Sequence, residues 1–215
     1  MDTFDLYKDI QCRTNGEIYL GVVGPVRSGK STFIKRFMDV LVLPKMTDEH
    51  AKERTVDELP QSASGKSIMT TEPKFVPKEA AEIQLAKDVS VLVRLIDCVG
   101  FMVEGASGHM EGNESRMVKT PWSEQEIPFT TAASIGTQKV IRDHATIGIV
   151  VTTDGSVTDL PRENYIQAEE RTVKELKAIG KPFMILLNCK KPYTEESKKL
   201  QEELREKYET AVLPV

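Results

Sequence analysis

The sequence lacks the features that mark membrane-spanning and secreted proteins. No apolar run approaches the ~20 residues that a transmembrane helix needs. The first ten residues, MDTFDLYKDI, contain neither the basic stretch nor the apolar stretch of a secretory signal. From these absences we expect a cytoplasmic protein without a transmembrane segment.

Cysteine and histidine are also scarce. The three cysteines are odd in number and far apart, which favours reduced thiols over a disulfide framework: Cys12, Cys98 and Cys189. The three histidines show no metal-ligand spacing: His50, His109 and His144. Positive charge is not in excess either, since 29 Lys and Arg residues face 33 Asp and Glu residues and the net charge is -4. We therefore expect no nucleic-acid partner.

What is present is a regular alternation of short apolar runs and helical patterns. A chain of 215 residues of which 40% are hydrophobic can bury one substantial core, so we expect one domain over residues 1–215. The alternation predicts an α/β fold, a doubly wound and mostly parallel sheet with one antiparallel strand. Predicted parallel strands are IYLGVV (18–23), VSVLVRLI (89–96), TIGIVVTT (146–153), FMILLN (183–188) and the terminal AVLPV, and AEIQLA (81–86) forms an antiparallel hairpin with 89–96.

Helices are expected after three of these strands. The first should place Phe33, Ile34, Phe37 and Val40 or Leu41 on its buried face. The second should begin near Pro161, bury Ile166, Val173, Leu176 and Ile179, and stop at Gly180. The third is TEESKKLQEELREKY, with a threonine cap and with Leu200, Leu204 and Tyr208 at four-residue spacing. The segments 44–71 and 100–131 are expected to be loops, the second a mobile surface insert.

The stretch GPVRSGKS (24–31) has the glycine, lysine and hydroxyl pattern of a phosphate-binding P-loop. A predicted strand precedes it and a predicted helix follows it, which is the context that the motif requires. Its glycines let backbone N–H groups wrap around phosphates, Lys30 would reach the β and γ phosphates, and Ser31 would offer its hydroxyl to Mg²⁺. The predicted nucleotide contacts are Gly24, Arg27, Ser28, Gly29, Lys30, Ser31, Thr32, Gly100 and Asn188.

A second motif lies at LIDCVG (95–100). Asp97 ends a predicted strand and Gly100 follows three positions later, so the carboxylate would sit near Mg²⁺ and the glycine N–H near the γ-phosphate. Thr70 and Thr71 precede the antiparallel pair, where a threonine that senses Mg²⁺ is expected. The predicted metal ligands are therefore Ser31, Asp97 and one of the two threonines, and the predicted catalytic residues are Lys30, Thr70, Thr71, Asp97 and Arg27.

Three positions depart from the usual GTPase pattern. Phe101 follows Gly100 where many such enzymes carry a glutamine that orients water. Arg27 would either replace a monovalent cation in the loop or form a surface salt bridge. Asp154 would either line the site or serve as an ordinary turn residue.

The residues expected to recognise the base also depart from that pattern. Asn188 is present, but Cys189, Lys190 and Lys191 follow in place of the Lys-x-Asp of Asn-Lys-x-Asp. The missing carboxylate removes two acceptors for guanine, so guanine selectivity is expected to be lost, and Cys189→Lys with Lys191→Asp should raise GTP affinity.

Several longer segments resemble the stage IV sporulation protein A family, the spore-coat morphogenetic ATPases: GEIYLGVVGPVRSGKSTFIKRFM, DELPQSASGKSIMTTEPKFVP, LIDCVGF, TPWSEQEIPF, IGTQKVI and HATIGIVVTTDGS. The resemblance covers essentially the whole chain and implies a fold similar to that of translation-factor GTPases, with ATP and Mg²⁺ as cofactors. It assigns family roles to Lys30, Ser31, Asp97 and the pair Thr70 and Thr71. Because the family extends past Val215, the chain is expected to be the N-terminal ATPase domain of a longer protein.

The resemblance also implies a biological role. It predicts a slow ATPase that self-assembles into the base layer of the coat on the forespore surface, in the mother-cell cytoplasm. The implied partners are further copies of itself, other coat proteins and a small membrane-associated peptide. Two alternatives stay open: a GTPase-type switch, and a structural module that binds nucleotide without turnover.

Overall fold

The computed structural model describes residues 16–46, 48–60, 72–86, 89–111 and 114–215. The elements along the chain are β1 (Glu17–Val23), α1 (Lys30–Phe37), α2 (Glu49–Glu58), β2 (Lys74–Ala86), β3 (Val89–Asp97), β4 (Met110–Glu111), β5 (Glu114–Ser115), β6 (Met117–Thr120), β7 (Ser123–Pro128), α3 (Phe129–Lys139), β8 (Ile147–Thr153), α4 (Glu163–Ala178), β9 (Phe183–Asn188), α5 (Glu195–Tyr208) and β10 (Val212–Pro214). Within these ranges, no helix combines the length and the apolar character needed to cross a membrane.

A six-stranded sheet of order β10-β9-β8-β1-β3-β2 forms the centre of the fold. All neighbouring pairs are parallel except β2 and β3, which are antiparallel. The predicted α/β class, with a mostly parallel sheet and one antiparallel pair, is therefore confirmed. Its parallel strands all end at the same edge, and ligands of open α/β sheets bind beyond such carboxyl ends.

The sheet is covered on both faces. Consecutive side chains of a strand point to opposite faces, and Val22 and Val23 accordingly belong to two different buried clusters. One cluster includes Ile34 of α1, and the other includes Leu176 of α4 and Leu204 of α5. Because both faces are buried, the parallel strands appear in the sequence as continuous apolar runs.

The first helix differs from the prediction in its second half. After α1 the chain makes a π-helical turn over Met38–Val42. The wider turn changes the angular spacing of side chains, so Ile34, Met38 and Val42 are the fully buried residues. The prediction that Val40 or Leu41 lies on the buried face is wrong, because these side chains are 60% and 42% exposed.

The two later predicted helices are confirmed. Thr194 caps α5 by accepting the Ser197 N–H, and Leu204 and Tyr208 are buried. In α4 Val173 and Leu176 are buried, and Gly180 follows the helix with φ +63°. Ile179 is 42% exposed, contrary to the prediction, because the helix already ends at Ala178.

Both predicted loop segments contain regular structure. Helix α2 lies within 44–71, and Asp48 caps it by accepting the N–H groups of His50 and Ala51. The segment 100–131 is not simply a surface insert. It contains the β6-β7 hairpin and the start of α3, and its apolar side chains enter the core: Phe101, Val103, Ala106 and Phe129.

Candidate nucleotide-binding site

The predicted site lies at the edge of the sheet where the parallel strands end. The stretch 24–29 follows β1, residues 98–101 follow β3, and Asn188 is the last residue of β9. Strand β1 lies next to β3, and Asn188 reaches from β9 across the end of β8 to hydrogen-bond Ser28 O, so the three segments meet at this edge. This position, between helices that cover opposite faces, is the usual ligand site of doubly wound sheets.

The backbone of residues 24–29 turns sharply into α1. Gly24 has φ +130° and Gly29, the residue that caps α1, has φ +99°. A Cβ atom at Gly24 would collide with the carbonyl oxygen of Val151, and one at Gly29 would collide with the Asn188 side chain. Both glycines are therefore required by conformation and by space.

Lys30 is the first residue of α1 and is only 4% exposed. Its Nζ donates a 2.6 Å hydrogen bond to the carbonyl oxygen of Pro25, which turns the ammonium group toward the loop. Burial lowers the pKa of Lys30, and the nearby Cys98 and Asp97 oppose that shift. A buried cation beside a glycine-rich turn is well placed to attract a phosphate.

The structure places the two predicted metal ligands Ser31 and Asp97 side by side. The Ser31 hydroxyl donates a 2.8 Å hydrogen bond to Asp97 Oδ2. The other carboxylate oxygen, Oδ1, is enclosed and has no hydrogen-bond partner in the structure. Burial raises the pKa of Asp97, and the Ser31 hydrogen bond and the charge of Lys30 oppose this rise.

This pair of oxygen donors fits a magnesium ion. Mg²⁺ prefers hard oxygen ligands and is usually held by only one or two protein groups together with phosphates and water. The Ser31 hydroxyl and the unpartnered Asp97 Oδ1 are such groups. Among the described residues, no set of three or more His, Cys, Asp or Glu side chains forms a larger metal-binding cluster.

The remaining predicted residues are placed as follows. The Ser28 side chain is fully buried, and its hydroxyl has no hydrogen-bond partner in the structure. Arg27 is half-buried and adopts a left-handed backbone conformation with φ +62°, which is uncommon for a residue other than glycine. Thr32 is exposed on α1. Thr70 and Thr71 lie outside the described residues.

Gly100 and Phe101 connect the segment after β3 to the predicted P-loop. The Phe101 N–H donates to Gly24 O at 3.1 Å, and the Val26 N–H donates to Phe101 O at 2.8 Å. The Phe101 ring is buried in the core, and the guanidinium of the exposed Arg171 lies 4.2 Å from its centroid. The side chain that replaces the usual glutamine is therefore a packing residue.

Asn188, which the sequence assigned to base recognition, contacts the predicted P-loop. Its Nδ2 donates a 3.0 Å hydrogen bond to Ser28 O. Cys189 is 5% exposed, whereas Lys190 and Lys191 are exposed. The carbonyl oxygen of Lys191 accepts the Ser197 hydroxyl at 2.9 Å, which anchors this turn to the start of α5.

Asp154 is a turn residue, which is one of the two predicted alternatives. Its Oδ1 accepts the Ser156 N–H at 2.8 Å and the Ser156 hydroxyl at 2.6 Å. The Ser156 oxygen in turn accepts the Lys190 N–H at 2.9 Å. This chain of hydrogen bonds fixes the turn after β8 against the turn after β9.

Thr137 is a contact that the sequence did not reveal. Its hydroxyl oxygen accepts the Gly100 N–H at 3.1 Å from the buried face of α3. The surrounding residues IGTQKVI contain no motif that marks this threonine. Only the packing of α3 against the segment that follows β3 brings it to the predicted site.

Comparison with known proteins identifies similar sequences over nearly the whole chain. The family model for the ATPase domain of stage IV sporulation protein A matches residues 1–215. Stage IV sporulation protein A of Clostridioides difficile (strain 630) is 57% identical over 211 residues, which are 98% of this chain and 43% of that protein. The protein of the same name from Bacillus subtilis (strain 168) is 54% identical over 213 residues, 99% of this chain and 43% of that protein. The chain thus spans less than half the length of these relatives.

Proposed function

Because this chain belongs to the stage IV sporulation protein A ATPase-domain family, we propose that it binds Mg²⁺-ATP at residues 24–31 and hydrolyses it. The observation that carries the proposal is the meeting of Lys30, Ser31 and Asp97 at one edge of the sheet. A buried cation lies there beside two oxygen donors, one of which has no partner. This combination matches the needs of a nucleotide triphosphate and its metal.

Each group has a distinct task in this proposal. Lys30 neutralises the β and γ phosphates, and the backbone N–H groups at the start of α1 face the same negative charge. Ser31 and Asp97 would hold Mg²⁺, which supplies neutralisation of the charge that develops on the phosphate oxygens. Thr70 or Thr71 completes the metal site, and Gly100 offers its N–H to the γ-phosphate.

We also propose that the domain is of the translation-factor GTPase-like P-loop type. Support comes from the strand order, from the single antiparallel strand, and from the predicted P-loop, residues 24–31, that follows β1 while Asp97 ends β3. The base preference differs from that of those GTPases. Lys191 replaces the carboxylate that would accept two guanine hydrogen bonds, and the family model that matches the chain is named for an ATPase domain.

At the level of the whole protein, we propose that hydrolysis drives a conformational change that permits self-assembly. The assembly would form the base layer of the spore coat at the forespore surface, in the mother-cell cytoplasm. Its partners would be further copies of itself, other coat proteins and a small membrane-associated peptide. The names of the relatives, which refer to sporulation, support this setting.

The proposal is tested by competition binding of ATP and GTP to the purified chain. We expect tighter binding of ATP, and Lys30→Ala should weaken it by at least about tenfold because a charge-assisted contact is lost. Lys35→Ala, an exposed lysine of the same helix, is the matched control and should bind as wild type does. A preference for GTP would overturn the ATPase assignment in favour of a GTPase.

A second candidate function, nucleotide binding without turnover, is favoured by the buried Phe101 ring. No glutamine occupies this position to orient water, so hydrolysis depends on another group. The two functions are separated by measuring phosphate release from ATP by the wild-type protein and by Lys30→Ala, whose rate serves as the background. Release that is dependent on Lys30 supports the enzyme, and release equal to the background supports the binding module.

A further inference from the structure

The Gly100 N–H, which the proposed function directs to the γ-phosphate, is already donated to a side chain. Its acceptor is the Thr137 hydroxyl oxygen, 3.1 Å away and 37 positions later in the chain. Both residues are buried, and the Thr137 side chain is fully enclosed. Because water does not reach these groups, breaking this hydrogen bond without a new partner would cost free energy.

Thr137 is oriented to act as the acceptor in this contact. Its own hydroxyl hydrogen points to the carbonyl oxygen of Ala133, one turn earlier on α3, at 2.8 Å. With its hydrogen engaged there, the oxygen presents its lone pairs to Gly100. The hydroxyl therefore connects α3 to the segment that follows Asp97.

Gly100 also lies directly against the predicted phosphate side of the site. A Cβ atom added at this residue would come within 2.6 Å of Lys30 Nζ and would collide with Gly24 O. Gly100 is thus close to the ammonium group that is proposed to contact the β and γ phosphates. An amide N–H carries one hydrogen, so it forms one well-aligned hydrogen bond at a time.

We infer that Thr137 is a positioning residue that competes with the γ-phosphate for the Gly100 N–H. In this arrangement α3 responds to the third phosphate: Gly100 pairs with Thr137 when the nucleotide is ADP and with the γ-phosphate when it is ATP. The inference rests on the proposed function, because it requires a nucleotide at Lys30. It adds a residue that distinguishes the two nucleotides without touching either of them.

Helix α3 has contacts that pass such a change onward. Arg171 of α4 donates to Ser134 of α3 at 2.6 Å, and the same guanidinium lies over the Phe101 ring. At the other end, Lys139 lies 5.9 Å from the ring centroid of Trp122 in the β6-β7 hairpin. A shift of α3 at Thr137 would therefore be felt at α4 and at this hairpin.

The test is the ratio of the affinities for ATPγS, a slowly hydrolysed ATP analogue, and for ADP. Thr137→Val keeps the shape of the side chain and removes the acceptor, so Gly100 loses its partner in the nucleotide-free protein and in the ADP complex but not in the ATPγS complex. We expect the preference for ATPγS over ADP to rise by about two- to tenfold, the range of a neutral hydrogen bond. Thr137→Ser restores the hydroxyl and should return the ratio to the wild-type value.

Thr172→Val is the matched control. Thr172 is fully buried on α4 and donates to the carbonyl oxygen of Ala168, one turn earlier, at 2.7 Å. Its substitution thus removes the same kind of helical hydrogen bond at equal burial, while Gly100 keeps its Thr137 acceptor. A general loss of packing would change both valine variants alike, whereas the inference predicts a changed ratio only for Thr137→Val.

A second measurement uses wild-type protein, so it does not require that a variant fold. The amide resonance of Gly100 in wild-type protein should differ clearly between the ADP and ATPγS complexes, because its acceptor changes. An unchanged resonance, or equal affinity ratios for wild type and a folded Thr137→Val, would overturn the role of Thr137 while leaving the ATPase proposal intact. Wild-type protein that binds neither nucleotide would overturn both.

Discussion

Ser31 and Asp97 lie 66 positions apart in the chain, yet the serine hydroxyl donates directly to the aspartate carboxylate at 2.8 Å. Ser31 is held by α1 and Asp97 by the end of β3, the strand that pairs with β1. Two rigid elements thus fix both oxygen donors. Such preorganisation is what a metal site requires, since little has to be ordered on binding.

The first prediction concerns Asp97→Asn. The amide keeps the size of the side chain but loses the charge. The Mg²⁺ concentration needed for ATP binding should therefore rise by at least about tenfold. Without nucleotide and Mg²⁺ the variant should melt about 2–4 °C higher, because the fold no longer has to bury a charged carboxylate. The sign follows from the pKa of Asp97, which burial raises, so that ionisation above this pKa opposes folding.

Magnesium titrations of ATP binding and thermal unfolding check the two parts of this prediction. The combination is diagnostic, since a purely structural aspartate would lose stability when replaced. A lower melting temperature with an unaltered Mg²⁺ dependence would contradict the metal assignment.

The second prediction concerns Thr70 and Thr71. Their joint replacement by alanine should leave ATP bound but lower phosphate release by about 100-fold, the effect of losing one electrostatic contact in a transition state. Thr130 and Thr131, an adjacent pair in the first turn of α3, provide a double-alanine control. Wild-type turnover in the variant of residues 70 and 71 would refute their catalytic role.

The third prediction concerns Arg27. If its guanidinium takes the place of a monovalent cation, wild-type turnover should be the same in potassium and in sodium buffers. Arg27→Ala should then lower turnover by about 100-fold with little loss of ATP affinity. Alanine carries a Cβ as arginine does, so the left-handed backbone at φ +62° is equally strained in both proteins.

Arg36→Ala, which removes an exposed arginine of α1, is the control for this experiment. A strong potassium requirement of the wild type would show that Arg27 does not replace the cation. Equal turnover of Arg27→Ala and Arg36→Ala would assign Arg27 to the surface-contact alternative.

The fourth prediction concerns the base. The sequence suggested the double substitution Cys189→Lys with Lys191→Asp. The structure argues against its first half, because Cys189 is buried and a lysine there would enter the core. Lys191 is exposed, and its backbone is anchored to α5, so Lys191→Asp alone is the suitable variant. It should raise GTP affinity relative to ATP by about tenfold, through charged acceptors for the guanine edge.

Lys190→Asp makes the same charge change one residue earlier and is the control. Competition binding compares the GTP to ATP ratio in the two variants. An equal shift in both would reveal a general charge effect and would remove Lys191 from the base site.

The strands and the phosphate side of the candidate site could be predicted from the sequence, since each has a local signal. Continuous apolar runs mark strands buried on both faces, and the spacing of Gly24, Gly29, Lys30 and Ser31 is specific to one kind of loop. The order of motifs then places Asp97 beside Ser31. These inferences depend on neighbours in sequence and on one rule of sheet topology.

The features that were missed depend on tertiary packing. Helix α2 has no apolar stripe, and only Thr55 is buried in it, so its periodicity gives no signal. The π-helical turn over Met38–Val42 leaves Val40 and Leu41 exposed, and the sequence has no motif that marks it. Phe101 lies in a stretch of loop-like composition but is buried beneath Arg171, and Thr137 meets Gly100 only because α3 packs beside the segment that follows β3.

The pairing of Pro25 with Phe101 beyond the strand ends also sets a requirement on chain length. In the sheet Val22 is in register with Asp97, and further on Pro25 forms a bridge with Phe101. The segment after Asp97 therefore contains one residue more than the segment after Val22, and Gly100 with φ +95° absorbs it. Surface loops normally accept insertions and deletions, but a single residue added or removed between Asp97 and Phe101 would shift Gly100 away from both Lys30 and Thr137. At this edge the number of residues is as constrained as their identity.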